Sequence, residues 1–401
     1  MRAPWRRRLV KLAATGAATI LLGGAVQATA TAAAAPLRNV LMVGNAYGGT
    51  VSFIDEQTFE NLGSLNVIPD LQQRLDEMSI IERTAYEIVR GQNGDKFVDD
   101  VFLSLDGRIL YVSRANLPDL VAIDLVTRRQ IWRYKLEGYH ADHMAMSPDG
   151  TKLIISDTTV NEAQVVDART GTEVAEFPTG TYPHANDYSP DGTKLYNSSI
   201  GTVSLPQWME WAKGARQLTV VDPTTFRVTR TYQFDHGVRP AVFTADNKTM
   251  YAQLSYLNGF VEYDLVAGRI VRTVEMPFSA EGEDTHPDDY PGNSAHHGMA
   301  MSGDGRKLCM AGTIDDYAAI VSRPALTTDR IVPLGDIPYW TQTSADGQYC
   351  YVSLSGDDEV AVISYATSQV VARVPVGDFP QRERNGKAAP EALAALDSAN
   401  G

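Results

Sequence analysis

Apolar and polar residues alternate in short runs along most of this chain, the period-2 pattern of half-buried β-strands. The runs are organised around one recurring turn and strand. It reads SLDGRILYVS from Ser104, SPDGTKLIIS from Ser147, SPDGTKLYNS from Ser189, TADNKTMYAQ from Thr244, SGDGRKLCMA from Ser302 and SADGQYCYVS from Ser344. The repeated Asp stands at 106, 149, 191, 246, 304 and 346, so most units are a little over forty residues long. A period near forty with β-type sequence predicts a propeller or a solenoid. Each unit reads as four short strands; around Ser147 they are 143–147, 152–157, 163–167 and 173–177, with Asp-Gly supplying the first turn. A V-x-D pattern marks the third strand, as in Val165-Val166-Asp167 and Val220-Val221-Asp222.

The chain enters the pattern mid-unit. Segments 39–44, 50–55 and 60–67 read as a second, third and fourth strand. The missing first strand is expected after Gly377-Asp378-Phe379-Pro380, where it would complete the first unit and leave no exposed sheet edge. The expected fold is all-β: a seven-bladed β-propeller of four-stranded blades, closed by a C-terminal strand in the first blade. The units, with their SPDGTKLY turn and V-V-D strand, resemble the YVTN-type repeat of YncE-like seven-bladed propellers over about residues 39–388. The family is distantly similar to the propeller domains of nitrous oxide reductase and amine dehydrogenase subunits. The resemblance implies the fold; propellers of this kind serve as binding proteins, oxidoreductase subunits and lyases, so it leaves the function open.

Three insertions break the period: 68–97, where Leu71, Leu75 and Met78 predict a short amphipathic helix, 201–215 and 278–293. In an up-and-down blade all three emerge at one end of the ring. The propeller is expected over 36–388 and a tail over 389–401. Residues 1–35 differ: Arg2, Arg6, Arg7, Arg8 and Lys11 precede an apolar Ala/Gly-rich stretch and Ala-x-Ala sites. This reads as an export signal, of twin-arginine type by its Arg run, and places the mature protein outside the cytoplasm with no stable membrane insertion after cleavage.

Removal of those five cations takes the net charge from −14 to −19. Such acidity, with no basic run, argues against nucleic acid as a partner. Cys309 and Cys350 occupy the same strand of consecutive units, one register step apart. Opposite parity permits a bond between facing sheets; the usual sheet spacing of about 10 Å favours two buried thiols.

All seven histidines fall between His140 and His297, and most lie just before a repeat turn. Aligned on the end of each first strand, one position is filled by Asp99, Asp142, His184, Arg239, His297 and Tyr339, and the next by Asp100, His143, Ala185, Pro240, Gly298 and Trp340. In a ring these positions surround the upper mouth of the channel. A single histidine there more often bonds buried backbone, but repetition at one height points to a divalent metal, copper, zinc or iron. His143, His184, His297 and Asp100 are the expected ligands. His236, His296 or His286 would move protons, and Arg239 would orient an anionic group, unless an ion pair with Asp235 occupies it. Tyr339, Trp340, Trp208 and Trp211 would shape a substrate surface.

The leading expectation is a metal-dependent enzyme acting on a small organic molecule. The alternatives are a non-catalytic propeller whose crowned face holds a protein, glycan or cell-wall partner, and a cofactor-less oxidoreductase subunit. No nucleophile elbow, phosphate loop or c-type haem motif occurs, so neither nucleotide nor haem is expected.

Overall fold

The computed structural model describes residues 36–397; the predicted export signal lies outside them. Seven antiparallel four-stranded sheets form the blades of a β-propeller. Blade 1 is closed by the two ends of the chain: strand Pro380–Ala388 pairs with Arg38–Asn45, from Arg38 opposite Ala388 to Asn45 opposite Pro380. Blades 2 to 7 follow in sequence, with inner strands Asp100–Leu103, Ala141–Met146, Pro183–Tyr188, Val238–Phe243, His296–Met301 and Pro338–Thr343. Apolar faces of neighbouring blades pack together; Leu41, Ile54, Tyr351 and Val362, for example, join blade 1 to blade 7.

Local turn chemistry explains the repeat. Ser147 Oγ donates to Asp149 (2.6 Å) and accepts from the Lys152 N–H (2.9 Å), while Asp149 also accepts from Thr151 N–H. The third-strand Asp caps the next turn: Asp167 accepts from the N–H groups of Arg169 and Thr170. These aspartates shape the turns.

The structure adds three features. The first insertion holds two helices, Leu71–Glu77 and Ile80–Asn93. Met78 is extended, and a capping box starts the second helix: Ser79 Oγ accepts from Glu82 N–H and the Glu82 carboxylate accepts from Ser79 N–H. The first helix is tied to blade 2 through Arg114, fully buried and paired with Asp119 and Asp70, and through Arg74 on Asp119. Residues Pro390–Asp397, read as part of a tail, form a helix whose Ala392, Leu393 and Leu396 join Val101, Leu103 and Leu125 in one core. Cys309 and Cys350 form a disulfide at a Cα separation of 6.5 Å. The expectation of free thiols fails because blades are spokes that converge toward the axis, and second strands lie where the sheets are closer than parallel slabs. Among the described residues no helix is long and apolar enough to cross a membrane.

Candidate functional site

The inner strands of blades 3 to 7 all break register at the same height, between Ala141 and Met144, Pro183 and Asn186, Val238 and Ala241, His296 and Met299, and Pro338 and Thr341. Each break leaves two residues off the ladder: Asp142-His143, His184-Ala185, Arg239-Pro240, His297-Gly298 and Tyr339-Trp340. A bulge suspends strict alternation, so both members of a pair can reach the channel mouth. Backbone groups freed by the break find side chains instead. The Ala185 and Trp340 N–H groups donate to Ser198 and Ser353 Oγ, and His143 N–H donates to Asp142 Oδ1. Gly298 is required in blade 6: its φ is +103°, and a Cβ there would lie 2.7 Å from both Thr341 N and Tyr339 O.

The breaks bring His143, His184 and His297 together. They are 2 %, 6 % and 1 % exposed, and one ring nitrogen of each lies within 4.8 Å of the others. His184 Nδ1 is 3.1 Å from both Asp142 oxygens, and His297 Nδ1 is 3.3 Å from the Tyr339 carbonyl. A carbonyl or carboxylate accepts only from a protonated nitrogen, so both rings carry hydrogen on Nδ1 and a lone pair on Nε2. Both Nε2 atoms, and both nitrogens of His143, have no hydrogen-bond partner. Burial, and then neighbouring cations and histidines, hold all three imidazoles well below their usual pKa, which keeps them neutral. A neutral imidazole with its second nitrogen fixed by an outer acceptor is the form that binds metal.

Beside them stands a second group, Asp99, His140 and Asp142, which the sequence reading did not assign as a site. His143 Nδ1 is 3.5 Å from Asp99. Burial and then the Asp142 charge raise Asp99 well above the carboxylate range; burial raises Asp142 to about 6, opposed by a hydrogen bond from Asp99. The pair therefore shares one proton near neutral pH. Burial, Lys96 and His184 press His140 down to about 3. Burial works against the charge on Lys96, but Tyr339, Asp99 and Asp142 hold the ammonium and its pKa is raised.

Other expected residues divide. Asp100 is not beside the free imidazole nitrogens. Its oxygens pair with Arg382 (3.1 Å) and Arg384 (2.9 Å) and accept from the N–H groups of Val101 and Met144, so Asp100 buttresses the site and Asp99 faces the histidines. Trp340 forms the floor, 5.3 Å from His143 and 5.5 Å from His297, with the Arg382 guanidinium 3.5 Å from its ring centre. Tyr339 stacks on His297 at 4.2 Å. Arg239 lines the site and bonds Ser255 Oγ and the Gly292 carbonyl, not Asp235. His296 points the other way, to the Tyr317 hydroxyl in the packing between blades 5 and 6, because alternation holds between it and His297. His236 sits outside the cavity, 3.3 Å from Glu210, and His286 caps an exposed turn. Trp208 and Trp211 are 74 % and 80 % exposed and do not line the cavity.

The cavity over the histidines has a volume of about 70 Å³ and is lined by Lys96, Asp99, His140, Asp142, Tyr182 and Arg239 among others. All three insertions contribute to its rim, through Val89, Val203 and Gly292. Below Trp340 a separate space of about 280 Å³ occupies the rest of the channel, between Asp187, Met299 and Arg384.

No family model and no curated protein matches the chain. Solved structures do. Hydrazine synthase of Kuenenia stuttgartiensis is 19 % identical at a TM-score of 0.57, over 71 % of this chain and 88 % of that one. The dihydro-haem d1 dehydrogenase NirN, in complex with DHE, is 12 % identical at 0.56, over 86 % and 65 %. The Cps50 (Swd1) propeller domain of Myceliophteria thermophila is 15 % identical at 0.50, over 69 % and 85 %. At these identities the likeness is one of fold.

Proposed function

We propose that His143, His184 and His297 hold a divalent metal ion, and that the protein is a metal-dependent enzyme acting on a small molecule above it. The observation that carries this reading is the set of buried imidazole nitrogens without partners, two of them on rings fixed from behind by Asp142 and the Tyr339 carbonyl. Leaving such nitrogens unmatched costs about 1–3 kcal/mol each. An all-nitrogen donor set suits copper, zinc or iron. When bound, the ion would supply Lewis acidity or redox capacity. The chain supplies the rest. Asp99 and Asp142 hold an exchangeable proton beside His143 and His184, Arg239 orients an anionic group, and Trp340 closes the floor against the lower channel.

The repeat sequences support a place among YVTN-type propellers. The N-terminal signal pattern and the Cys309–Cys350 disulfide support export to an oxidising compartment. NirN is a dihydro-haem d1 dehydrogenase in complex with DHE, and a missing c-type motif speaks only to covalent attachment. A cavity of about 70 Å³ is too small for a tetrapyrrole without rearrangement of the crown. One observation favours a docking role beside the chemistry: Trp208 and Trp211 stand exposed on the crown, where a protein or glycan could cover them.

Elemental analysis of protein purified from metal-replete culture tests the centre. About one equivalent of metal is expected in wild type and His296→Ala, and little in His143→Ala, His184→Ala or His297→Ala. Wild-type protein that neither carries nor takes up metal would overturn the reading.

A further inference from the structure

Positive charge is concentrated at this cavity in a chain whose net charge is −14. Four cations, Lys96, Arg239, Arg382 and Arg384, and four carboxylates, Asp99, Asp100, Asp142 and Asp187, stand around the histidines and the channel below them. Arg382 and Arg384 lie below the floor and are matched by Asp100. Above the floor, Lys96 and Arg239 line the open space together with Asp99 and Asp142. Arg239 is only 3 % exposed, yet its contacts are neutral oxygens, the Ser255 hydroxyl at 3.0 Å and the Gly292 carbonyl. The Lys96 ammonium stands 5.8 Å from the Tyr339 ring centre. A buried guanidinium whose contacts are all neutral is costly, so a site that keeps Arg239 in this state, with the Lys96 ammonium facing the same space, is built to receive an anion.

Volume limits the anion. About 70 Å³ has room for a few water-sized groups only. Nucleotides, sugar phosphates and dicarboxylates exceed it, and cationic amines meet like charge.

We propose that the ligand taken up over the histidines is a small oxyanion of about five heavy atoms or fewer, of the monocarboxylate, carbonate or nitrite class, held between Lys96 and Arg239. This deepens the reading of the cavity as a small-molecule site and names the ligand's charge and size. Lys96 and Arg239 both disfavour positive charge on His184 and His297. A bound anion offsets that field, so anion and metal ion are expected to support each other's binding.

The test is calorimetric titration at fixed ionic strength with formate, acetate, bicarbonate and nitrite, and with acetamide and succinate as controls. It is run on the metal-loaded protein and on protein stripped with a chelator. The small anions are expected to bind, and acetamide and succinate to bind at least tenfold more weakly. Lys96→Met and Arg239→Gln should each weaken acetate or nitrite tenfold or more, the loss of one charge-assisted hydrogen bond, while Lys96→Arg stays within about threefold of wild type. Equal binding of acetate and acetamide, or unchanged anion affinity in Lys96→Met, would refute the proposal. Lys96 is only partly buried, so that variant decides even if Arg239→Gln does not fold. Anion binding that persists in protein unable to take up metal would separate failure of the metal reading from failure of this one.

Discussion

Exchanging Asp142 for Asn probes how the histidine cluster is held. In the native site both Asp142 oxygens lie 3.1 Å from His184 Nδ1, which fixes the proton there and turns the Nε2 lone pair toward His143 and His297. An amide keeps the shape, removes the charge and offers one acceptor in place of two. Loss of an outer partner of a metal-bound histidine weakens metal affinity about 10- to 100-fold, equivalent to about 1.4–2.7 kcal/mol. Asp142 also accepts from His143 N–H at 2.8 Å, a contact the amide oxygen can retain, so the fold should survive. Competition with a chromophoric chelator at pH 7 measures the affinity, with His184→Ala giving the value for complete loss of that ligand. Asp142→Asn is expected to fall between wild type and His184→Ala. An affinity equal to wild type, with His184→Ala severely impaired, would show that the carboxylate does not position the ring.

Arg114→Ala should cost about 3 kcal/mol in urea unfolding, because it leaves the buried Asp119 with Arg74 as its remaining close partner and releases Asp70 and the first inserted helix. Joint replacement of Cys309 and Cys350 by Ala opens a cross-link spanning 41 residues and should cost about 4 kcal/mol by chain entropy; a loss below about 1 kcal/mol would contradict this. His296→Phe should flatten the acid limb of stability. Burial lowers the His296 pKa to about 3, so between pH 3 and an unfolded value of about 6.5 the unfolded chain binds a proton that the native protein refuses. Wild type therefore loses about 1.4 kcal/mol per pH unit at this residue as pH falls through that window, and the variant does not; parallel acid limbs in urea midpoints against pH would refute the assignment.

The ring was legible because its determinants are local. Ser147, Asp149 and Gly150 close a turn within six residues, Asp167 caps the next, and the absent first strand of blade 1 is a deficit visible at one end of the chain and filled at the other. The histidine cluster was legible for a related reason: repeated strands carry their mouth residues to one height, so His184 and His297 could be aligned without coordinates. The second helix of the first insertion was written as Ser79-x-x-Glu82, a capping signal that the amphipathic run before it obscured.

The orientation of side chains at the mouth obeys no such rule. In an unbroken strand Asp142 and His143 would face opposite sides, and so would Tyr339 and Trp340. The register breaks put both members of each pair into the site, and nothing in a single sequence marks a bulge whose residues are Asp-His or Tyr-Trp. Alternation resumes one residue earlier, which is why His296 is lost to the blade core while His297 is kept. Lys96 belongs to no repeat position at all; it arrives from the end of an insertion, and only the folded crown sets it opposite Arg239. The chemistry of the site is thus divided between two sources: the repeated strands contribute the imidazoles, the aspartates and Arg239, and the insertion contributes Lys96. A change of insertion could therefore alter the ligand while the histidine centre stayed in place, since the 68–97 segment supplies one of the two cations of the proposed anion site.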